Sequence, residues 1–438
     1  MRDLLIVGLV LLSCVAALRR PWLGALAWAW LSLMSPHRYT YGFAQSFPVT
    51  ALVAVATLLG MLATRDRWSP LRGGVVWIFV AFNCWLTISW LAGPDIEGQY
   101  DQWSKIMKIN LMVLVSMSII RSRFQINCFV TVCALSLGIL GAKGGLFTLM
   151  TGGNYRVWGP PGTFAGGNNE FALALVTVIP LIRYMQLQMD SRWQRHVMLL
   201  LMLLCGAAAL GSHSRGALLA GATMGLMLWW RGSRNRLTSG LAMAVLVMAA
   251  LSFMPAHWFE RMETIETYDE DRSAMGRFAA WSLAWNSAFH NFTGLGLNAA
   301  VSDYFVKYSA YGLEYGTPVA HSIYFQVLGH HGFIGLALWL SIWVGAWRYA
   351  AVLRRIGRAE PRAAWSADLG ALVQTSLAGF LVGGAFLSLA YYDLIYNVLA
   401  IVVLARWWVD RQAWKTEPEP PPLSWDMWRR PRPASVKT

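Results

Sequence analysis

The sequence predicts an all-α, polytopic integral membrane protein with about 12 (12–13) transmembrane helices and a long helical external loop. Of its 438 residues, 56% are hydrophobic and only 13% are charged, whereas soluble domains average about 25% charged residues. The apolar residues form long runs, and a bilayer core requires about 20 of them per helix. The 24 Trp, 15 Tyr and 19 Phe supply rings suited to both membrane–water interfaces.

The predicted crossing segments follow the apolar runs in order. They are 3–18, 21–35, 46–63, 72–92, 104–120, 124–141, 169–189, 195–211, 215–230, 236–254, 320–347, 366–389 and 391–409. Only Arg19, Arg20 and Pro21 separate the first two, which therefore predict one crossing, two crossings or a partial hairpin. The first resembles a signal peptide, but no small-residue cleavage site follows it, so it is interpreted as a membrane segment.

Basic clusters alternate with poorly charged loops and predict the orientation. The clusters are Arg65/Arg67/Arg72, Arg121/Arg123, Arg183/Arg192/Arg195, Arg231/Arg234/Arg236, Arg354/Arg355/Arg358/Arg362 and the tail from Arg406. Cytoplasmic loops carry such an excess of Lys and Arg. The formal net charge of +14 is therefore interpreted as membrane orientation, and no nucleic-acid partner is expected.

The alternation divides the chain into five parts. These are N-terminal transmembrane helices (1–194, with an external loop at 142–168), core transmembrane helices (195–254), a periplasmic loop domain (255–319), C-terminal transmembrane helices (320–410) and a cytoplasmic disordered tail (411–438). The loop domain is net acidic, with eight Asp and Glu against four Lys and Arg, which is typical of an external segment.

Unusual polar residues gather on the predicted external side. Arg156 and Glu170 flank a stretch rich in Gly and Pro, and irregular backbone at membrane depth requires a protein interior or a wet cavity. The alternative is an external turn with an Arg that reaches the lipid headgroups. Arg215 follows Ser212-His213-Ser214 in a tight helical hairpin; its planar guanidinium suits a phosphate, and contact with lipid headgroups is again the alternative.

A third group lies in the acidic loop. Ser273, Arg277 and Trp281 share one face at helical spacing, and Arg272 stands beside them. A cation next to an indole can close over a phosphate or stack on a sugar, although an ordinary amphipathic helix has the same pattern.

His321 and Ser322 open the long helix that follows the acidic loop. A neutral imidazole at the water-facing mouth of a helix can take a proton from a hydroxyl near pH 7, although a lone His is more often structural. His330 and His331 are expected about two turns deeper in the same helix, as polar packing residues, with Gly332 and Gly335 allowing close helix contact.

Neither a metal nor a cofactor is predicted. The five cysteines lie in hydrophobic runs without a CxxC motif, and no Asp-x-Asp or Asp-rich motif stands beside the arginines. Guanidinium groups are therefore expected to meet the charge of a diphosphate leaving group.

The motifs together carry a family resemblance. Ser214-Arg215-Gly216, the Ser273/Arg277/Trp281 helix, Gly294-Leu-Gly296 and His321-Ser322 followed by Gly332-x-x-Gly335 resemble the O-antigen ligase and polymerase superfamily over about residues 195–345. The stretches Lys143-Gly-Gly-Leu-Phe and Asn154 to Gly162 resemble the branch of exosortase-associated O-glycosylation ligases.

The resemblance implies a metal-independent, inverting glycosyl transfer at the periplasmic face of a Gram-negative inner membrane. The implied donor is O-antigen linked to undecaprenyl diphosphate, and the implied acceptor is a lipid A-core sugar hydroxyl. In this resemblance His321 matches the activating histidine, and Arg215 and Arg277 match the diphosphate-binding arginines. An O-antigen polymerase, a protein O-glycosylation ligase and a transporter of lipid-linked glycan are the alternatives.

Overall fold

The computed structural model describes residues 2–64, 71–93, 96–232, 236–256, 258–259, 272–420 and 423. In these ranges the regular structure is helical, with no strand. The α-helices are α1 (Arg2–Arg19), α2 (Pro21–Met34), α3 (Val49–Ala63), α4 (Gly74–Ala92), α5 (Gln99–Ile119), α6 (Arg123–Met150), α7 (Asn168–Leu187), α8 (Arg192–Gly211), α9 (Arg215–Gly232), α10 (Arg236–Ser252), α11 (Arg272–His290), α12 (Ser302–Tyr308), α13 (Ile323–Ala359), α14 (Ala364–Gly384) and α15 (Asp393–Asp410). Four short 3₁₀ helices add Pro36–Tyr39, Phe43–Gln45, Pro361–Ala363 and Ala413–Lys415.

Six helical segments among the described residues are long and apolar enough to cross a membrane. They are Gly74–Ala92, Arg123–Met150, Asn168–Leu187, Arg192–Gly211, Ile323–Ala359 and Pro361–Gly384. The shorter apolar segments Pro21–Met34, Val49–Ala63 and Leu237–Ala249 also occur. The chain is therefore a helical membrane protein, and the count of about 12 crossings stays a prediction.

The first two apolar segments form two separate helices. Arg20 has extended backbone (φ −141°), and Pro21 begins α2, where its fixed φ suits the first helical turn. The two helices pack on each other and on α3.

The centre of the bundle is formed by α7, α14 and α15. Helix α14 packs against α7, α9, α13 and α15, and α15 also contacts α5 and α6. Most side chains of α15 are buried, because it is enclosed by helices on several sides rather than by lipid.

One end of the bundle collects the helix termini that matter for function. Asn168, at the start of α7, donates from Nδ2 to the Ser212 carbonyl after α8 at 2.7 Å. The Ser32 hydroxyl near the end of α2 donates to the Asp393 carboxylate at the start of α15. We call this the site end.

Helix α6 is longer than the sequence predicted. The external loop was expected from residue 142, but α6 continues to Met150 and the loop covers residues 151–167. Gly144 and Gly145 lie within this helix and permit close packing. A Cβ at Gly145 would lie 2.2 Å from the Leu204 carbonyl oxygen of α8.

Helix α13 is not the single straight helix that the sequence predicted. Gly332 has φ 64° and ψ −171° and separates two helical parts. The rings of Tyr324 and Trp339 lie 5.9 Å apart, whereas 15 residues of straight helix would separate them by about 22 Å. The chain therefore turns back at Gly332, and His330 and His331 lie at this reversal rather than partway down a membrane helix.

The described part of the 255–319 segment contains two helices, α11 and α12, joined by residues 291–301. Helices α11 and α12 enclose a small hydrophobic cluster of Ala279, Ala280, Leu283, Leu295, Ala299, Phe305 and Tyr308.

The segment assigned to the tail begins with an ordered turn. Glu417 accepts hydrogen bonds from Trp408 Nε1 at 2.7 Å and from the Arg123 amide at 3.2 Å. The disorder predicted for the remainder concerns residues 421–422 and 424–438, which lie outside the described residues.

Candidate active site

His321 is the residue immediately before Ser322, the N-cap of α13. Its side chain is half-buried, and its backbone adopts a left-handed conformation with φ 42°, which is uncommon for a residue other than glycine. Burial, and then the positive charge of Arg277, lower the pKa of His321 below the ordinary value of 6.5. The imidazole is therefore neutral at pH 7 and able to accept a proton.

Helix α11 holds Arg277 against the His321 segment. Trp281 Nε1 donates a hydrogen bond to the Ala320 carbonyl at 2.7 Å, and its indole stacks on Phe325 with centroids 4.9 Å apart and planes 9° apart. The indole that the sequence suggested for a sugar thus fixes α11 to the start of α13. Arg277, one turn earlier on α11, is brought to the histidine.

Arg215 begins α9 directly after a buried turn. Ser212, His213 and Ser214 are at most 3% exposed. His213 has φ 58°, and its Nε2 lies 2.9 Å from the Gly153 carbonyl oxygen. These contacts fix the chain direction into α9 and hold the half-buried Arg215 at the site end.

The end of α14 joins the Arg215 and His321 segments. Gly383 and Gly384 leave room for both partners: a Cβ at Gly216 would lie 3.3 Å from the Gly383 carbonyl oxygen, and one at Gly384 would lie 2.7 Å from Ile323 Cδ1. Arg215 precedes Gly216, and His321 lies two residues before Ile323. Arg215, Arg277 and His321 thus come from three separate segments to one region.

The loop of residues 151–167 borders this region. The Val157 amide donates to the Gly211 carbonyl at 3.1 Å, which ties the loop to the turn before Arg215. The Arg156 side chain itself is exposed. Glu170, in the first turn of α7, lies close to Gly167, where a Cβ would meet its carboxylate at 2.0 Å. Both stay weaker candidates.

Ser322 and Arg272 are the two remaining predicted site residues. Ser322 is 1% exposed and makes no side-chain cap hydrogen bond to α13. Arg272 begins α11, but its side chain lies outside the described residues.

The glycine motifs shape the backbone of the site. The Leu295 and Gly296 amides donate to the carbonyls of Gly329 and His330 at 2.9 and 3.0 Å, so the turn after α11 lies directly on the reversal. A Cβ at Gly332 would lie 2.6 Å from the Phe292 carbonyl oxygen, and one at Gly294 would lie 2.4 Å from the His330 carbonyl oxygen. Only glycine, which has no Cβ, fits where these two backbone segments lie in contact.

His330 and His331 share a tyrosine partner that sequence reasoning missed. Tyr391 Oη lies 3.0 Å from His330 Nδ1 and 2.8 Å from His331 Nε2. His331 is fully buried. The arrangement fixes the reversal to the loop before α15, which agrees with the predicted packing role. Tyr391 lies 60 residues after His331, so no local sequence pattern indicates this contact.

In the described residues no group of three His, Cys, Asp or Glu is placed to hold a metal ion. Arg277 lies near the His321 imidazole, and Arg215 lies at the same end of the bundle. These residues form a candidate site for binding an anion and accepting a proton in a helical membrane protein.

Comparison with known families identifies that class further. Residues 200–340 match the family model described as O-antigen ligase, and residues 1–190 match a family of unknown function (DUF5935). The first match contains Arg215, Arg277 and His321 and supports the O-antigen ligase superfamily for this part of the chain. No curated protein matches the chain. The match supports glycosyl-transfer chemistry of the ligase or polymerase type in general.

Proposed function

We propose that this protein is an O-antigen ligase-like glycosyltransferase that moves a glycan from undecaprenyl diphosphate to a lipid A-core sugar hydroxyl in lipopolysaccharide assembly. The observation that carries the proposal is the convergence of Arg277, His321 and Arg215 from three segments on one end of the bundle. The family match supports the general class, and the particular donor and acceptor are part of the proposal.

The proposed reaction is a single displacement. His321 accepts the proton of the acceptor hydroxyl while the hydroxyl oxygen attacks the anomeric carbon from the face opposite the diphosphate. The bond between that carbon and the diphosphate oxygen breaks, and the leaving group takes the electron pair. The configuration at the anomeric carbon is inverted. The lowered pKa of His321 supports its role as a base, which typically contributes about 10²- to 10⁴-fold.

Arg215 and Arg277 are proposed to hold the diphosphate. A guanidinium can form two parallel hydrogen bonds to phosphate oxygens, and these strengthen as negative charge develops on the leaving group. The same positive charge near His321 keeps the imidazole neutral. One arginine therefore assists both ends of the displacement, without a metal ion.

An exposed aromatic patch beside Arg277 supports a donor with a long apolar chain. Trp285 and Phe289 lie two and three turns after Arg277 on α11 and are 49% and 65% exposed. Phe333 lies 5.7 and 5.0 Å from them between ring centroids. Residues four apart share a helix face, so a diphosphate at Arg277 would place its isoprenoid chain along these rings.

The proposed location is the inner membrane of a Gram-negative bacterium, with about 12 crossings and the site end facing the periplasm. Basic clusters at the opposite end support this orientation. Alkaline phosphatase fused after Tyr311 should be active, and the same fusion after Glu360 should be inactive. The reverse pattern would contradict the orientation.

The test of the proposed function is transfer by the purified full-length protein. The protein is incubated with undecaprenyl-diphosphate-linked O-antigen and lipid A-core, and the joined product is separated by gel electrophoresis. Elongation of the donor glycan without lipid A-core would identify a polymerase, and glycan on a peptide Ser or Thr would identify a protein ligase. Movement of donor across a vesicle bilayer without any joined product would identify a transporter.

A further inference from the structure

Lys105 and Lys143 lie in two different helices at the site end and take no part in the proposed reaction. Lys105 lies six residues into α5, and Lys143 lies seven residues before the end of α6. A charged side chain within a membrane helix is costly unless it has a partner or faces water, so such residues commonly mark a functional site.

Lys105 and Arg38 lie close together under the loop of residues 151–167, and Lys143 lies against Tyr39, the residue that follows Arg38. Lys105 Nζ lies 3.9 Å from the ring centroid of Phe164, and Lys143 Nζ lies 5.2 Å from that of Tyr39. The Arg38 guanidinium also lies against this loop, since a Cβ at Gly162 would lie 3.5 Å from Arg38 Cζ. Lys105 and Arg38 are close enough to repel each other. Like charges are thus assembled here from α5, α6 and the segment after α2.

Asp393 balances only part of this charge. It is 4% exposed, accepts the hydrogen bond of Ser32 and interacts electrostatically with Lys105. Arg38, Lys105 and Lys143 carry three positive charges against this one carboxylate, and all three side chains are accessible at the surface. An accessible group with excess positive charge attracts an anion.

The cluster is separate from the candidate active site. The loop of residues 151–167 contacts the Arg215 turn through Val157 and contacts Lys105 through Phe164. The two sites therefore lie against different parts of the same loop. The Gly144 and Gly145 pair packs on Ala208 and Leu204 of α8, while the neighbouring Lys143 extends toward Tyr39.

We propose that Arg38, Lys105 and Lys143 form a second anion site that binds a phosphate group carried by a lipid. Two ammonium groups held on aromatic faces and one guanidinium offer charge-assisted donors to the phosphate oxygens. Lys143 lies seven residues inside α6, a helix long and apolar enough to cross a membrane, and this position favours a headgroup that approaches from the bilayer. This site does not depend on the proposed glycosyl transfer.

Binding to the purified full-length protein in neutral detergent tests this site. The probes are short-chain phosphatidic acid, inorganic phosphate and the matching uncharged diacylglycerol, and affinity is measured by calorimetry. Lys105→Gln and Lys143→Gln should each weaken phosphatidic acid binding about tenfold, the loss expected for one charge-assisted contact. Arg2→Gln is the control, because Arg2 is an exposed cation that rests on the Tyr41 ring outside the cluster.

Asp393→Asn separates a ligand role from a structural one. Removal of the counter-charge should tighten phosphate binding, whereas damage to the fold would weaken it. Inorganic phosphate that binds as tightly as phosphatidic acid would identify free phosphate as the source of the anion. Equal binding of diacylglycerol, or unchanged affinity in both lysine variants, would overturn the proposal.

Discussion

Substitution of Gly332 by Ala tests whether the reversal in α13 positions His321, the proposed base. The backbone at φ 64° and ψ −171° lies in a region that is almost restricted to glycine, and occupying it with another residue costs about 1–3 kcal/mol. The new Cβ would also lie 2.6 Å from the Phe292 carbonyl oxygen. Because that oxygen belongs to the backbone, relief requires the chain itself to move.

The expected result is a large loss of transfer with a modest loss of stability. The first half of α13 begins beside His321, so displacement of the reversal moves the histidine relative to Arg277. A misplacement of about 1 Å can cost roughly 100-fold in rate. Transfer rate and thermal unfolding of the detergent-solubilised protein are measured together.

Gly206→Ala provides the matched control. Gly206 lies within α8, and a Cβ there would meet no atom within 4 Å. Alanine is favoured over glycine in a helix by roughly 0.5–1 kcal/mol, so this variant should be slightly more stable and fully active. Gly332→Ala with unchanged rate and stability would refute the assigned role of the reversal.

Three further predictions concern the arginines, pH and metal ions. Arg215→Lys and Arg277→Lys should each lose about 2–4 kcal/mol of transition-state stabilisation, because a lysine cannot form two parallel hydrogen bonds to a phosphate. Arg156→Lys, which changes an exposed arginine, should retain activity. Full activity of both site variants would exclude diphosphate binding by these arginines. The rate should rise with pH as His321 loses its proton, with an inflection below pH 6.5 because the pKa of His321 is lowered from that value. Arg277→Gln should move this inflection to higher pH, because the imidazolium loses a repelling neighbour; an inflection that stays in place would remove Arg277 from the surroundings of His321. Transfer should continue in EDTA, and a complete loss that Mg²⁺ restores would show that a metal ion takes part.

The sequence allowed α7 and α8 to be predicted because each contains a long, mainly apolar run. The run at 169–189 corresponds to α7 (Asn168–Leu187), and the run at 195–211 corresponds to α8 (Arg192–Gly211). The end of α6 was predicted too early, because the sequence does not show how closely Gly144 and Gly145 pack on α8. That closeness is a tertiary property.

The site was predicted as residue types but not as an arrangement. Charge alternation placed Arg215, Arg277 and His321 on one side of the membrane, and the structure brings them to one end of the bundle. The reversal at Gly332 could not be predicted, because hydropathy averaged along an apolar run does not show whether the chain continues straight or turns back. The approach of Lys105 to Arg38 and Asp393 likewise depends on packing between segments that are distant in sequence.

The most direct test of the central claim is glycan transfer by His321→Ala with its stereochemical outcome. The variant should fold and bind the lipid-linked donor but transfer at least about 100-fold more slowly, and the unaltered protein should give a product of inverted anomeric configuration. His290→Ala, which removes an exposed histidine of α11, should transfer normally. Normal transfer by His321→Ala, or a product that retains the donor's configuration, would contradict a single displacement with His321 as the base.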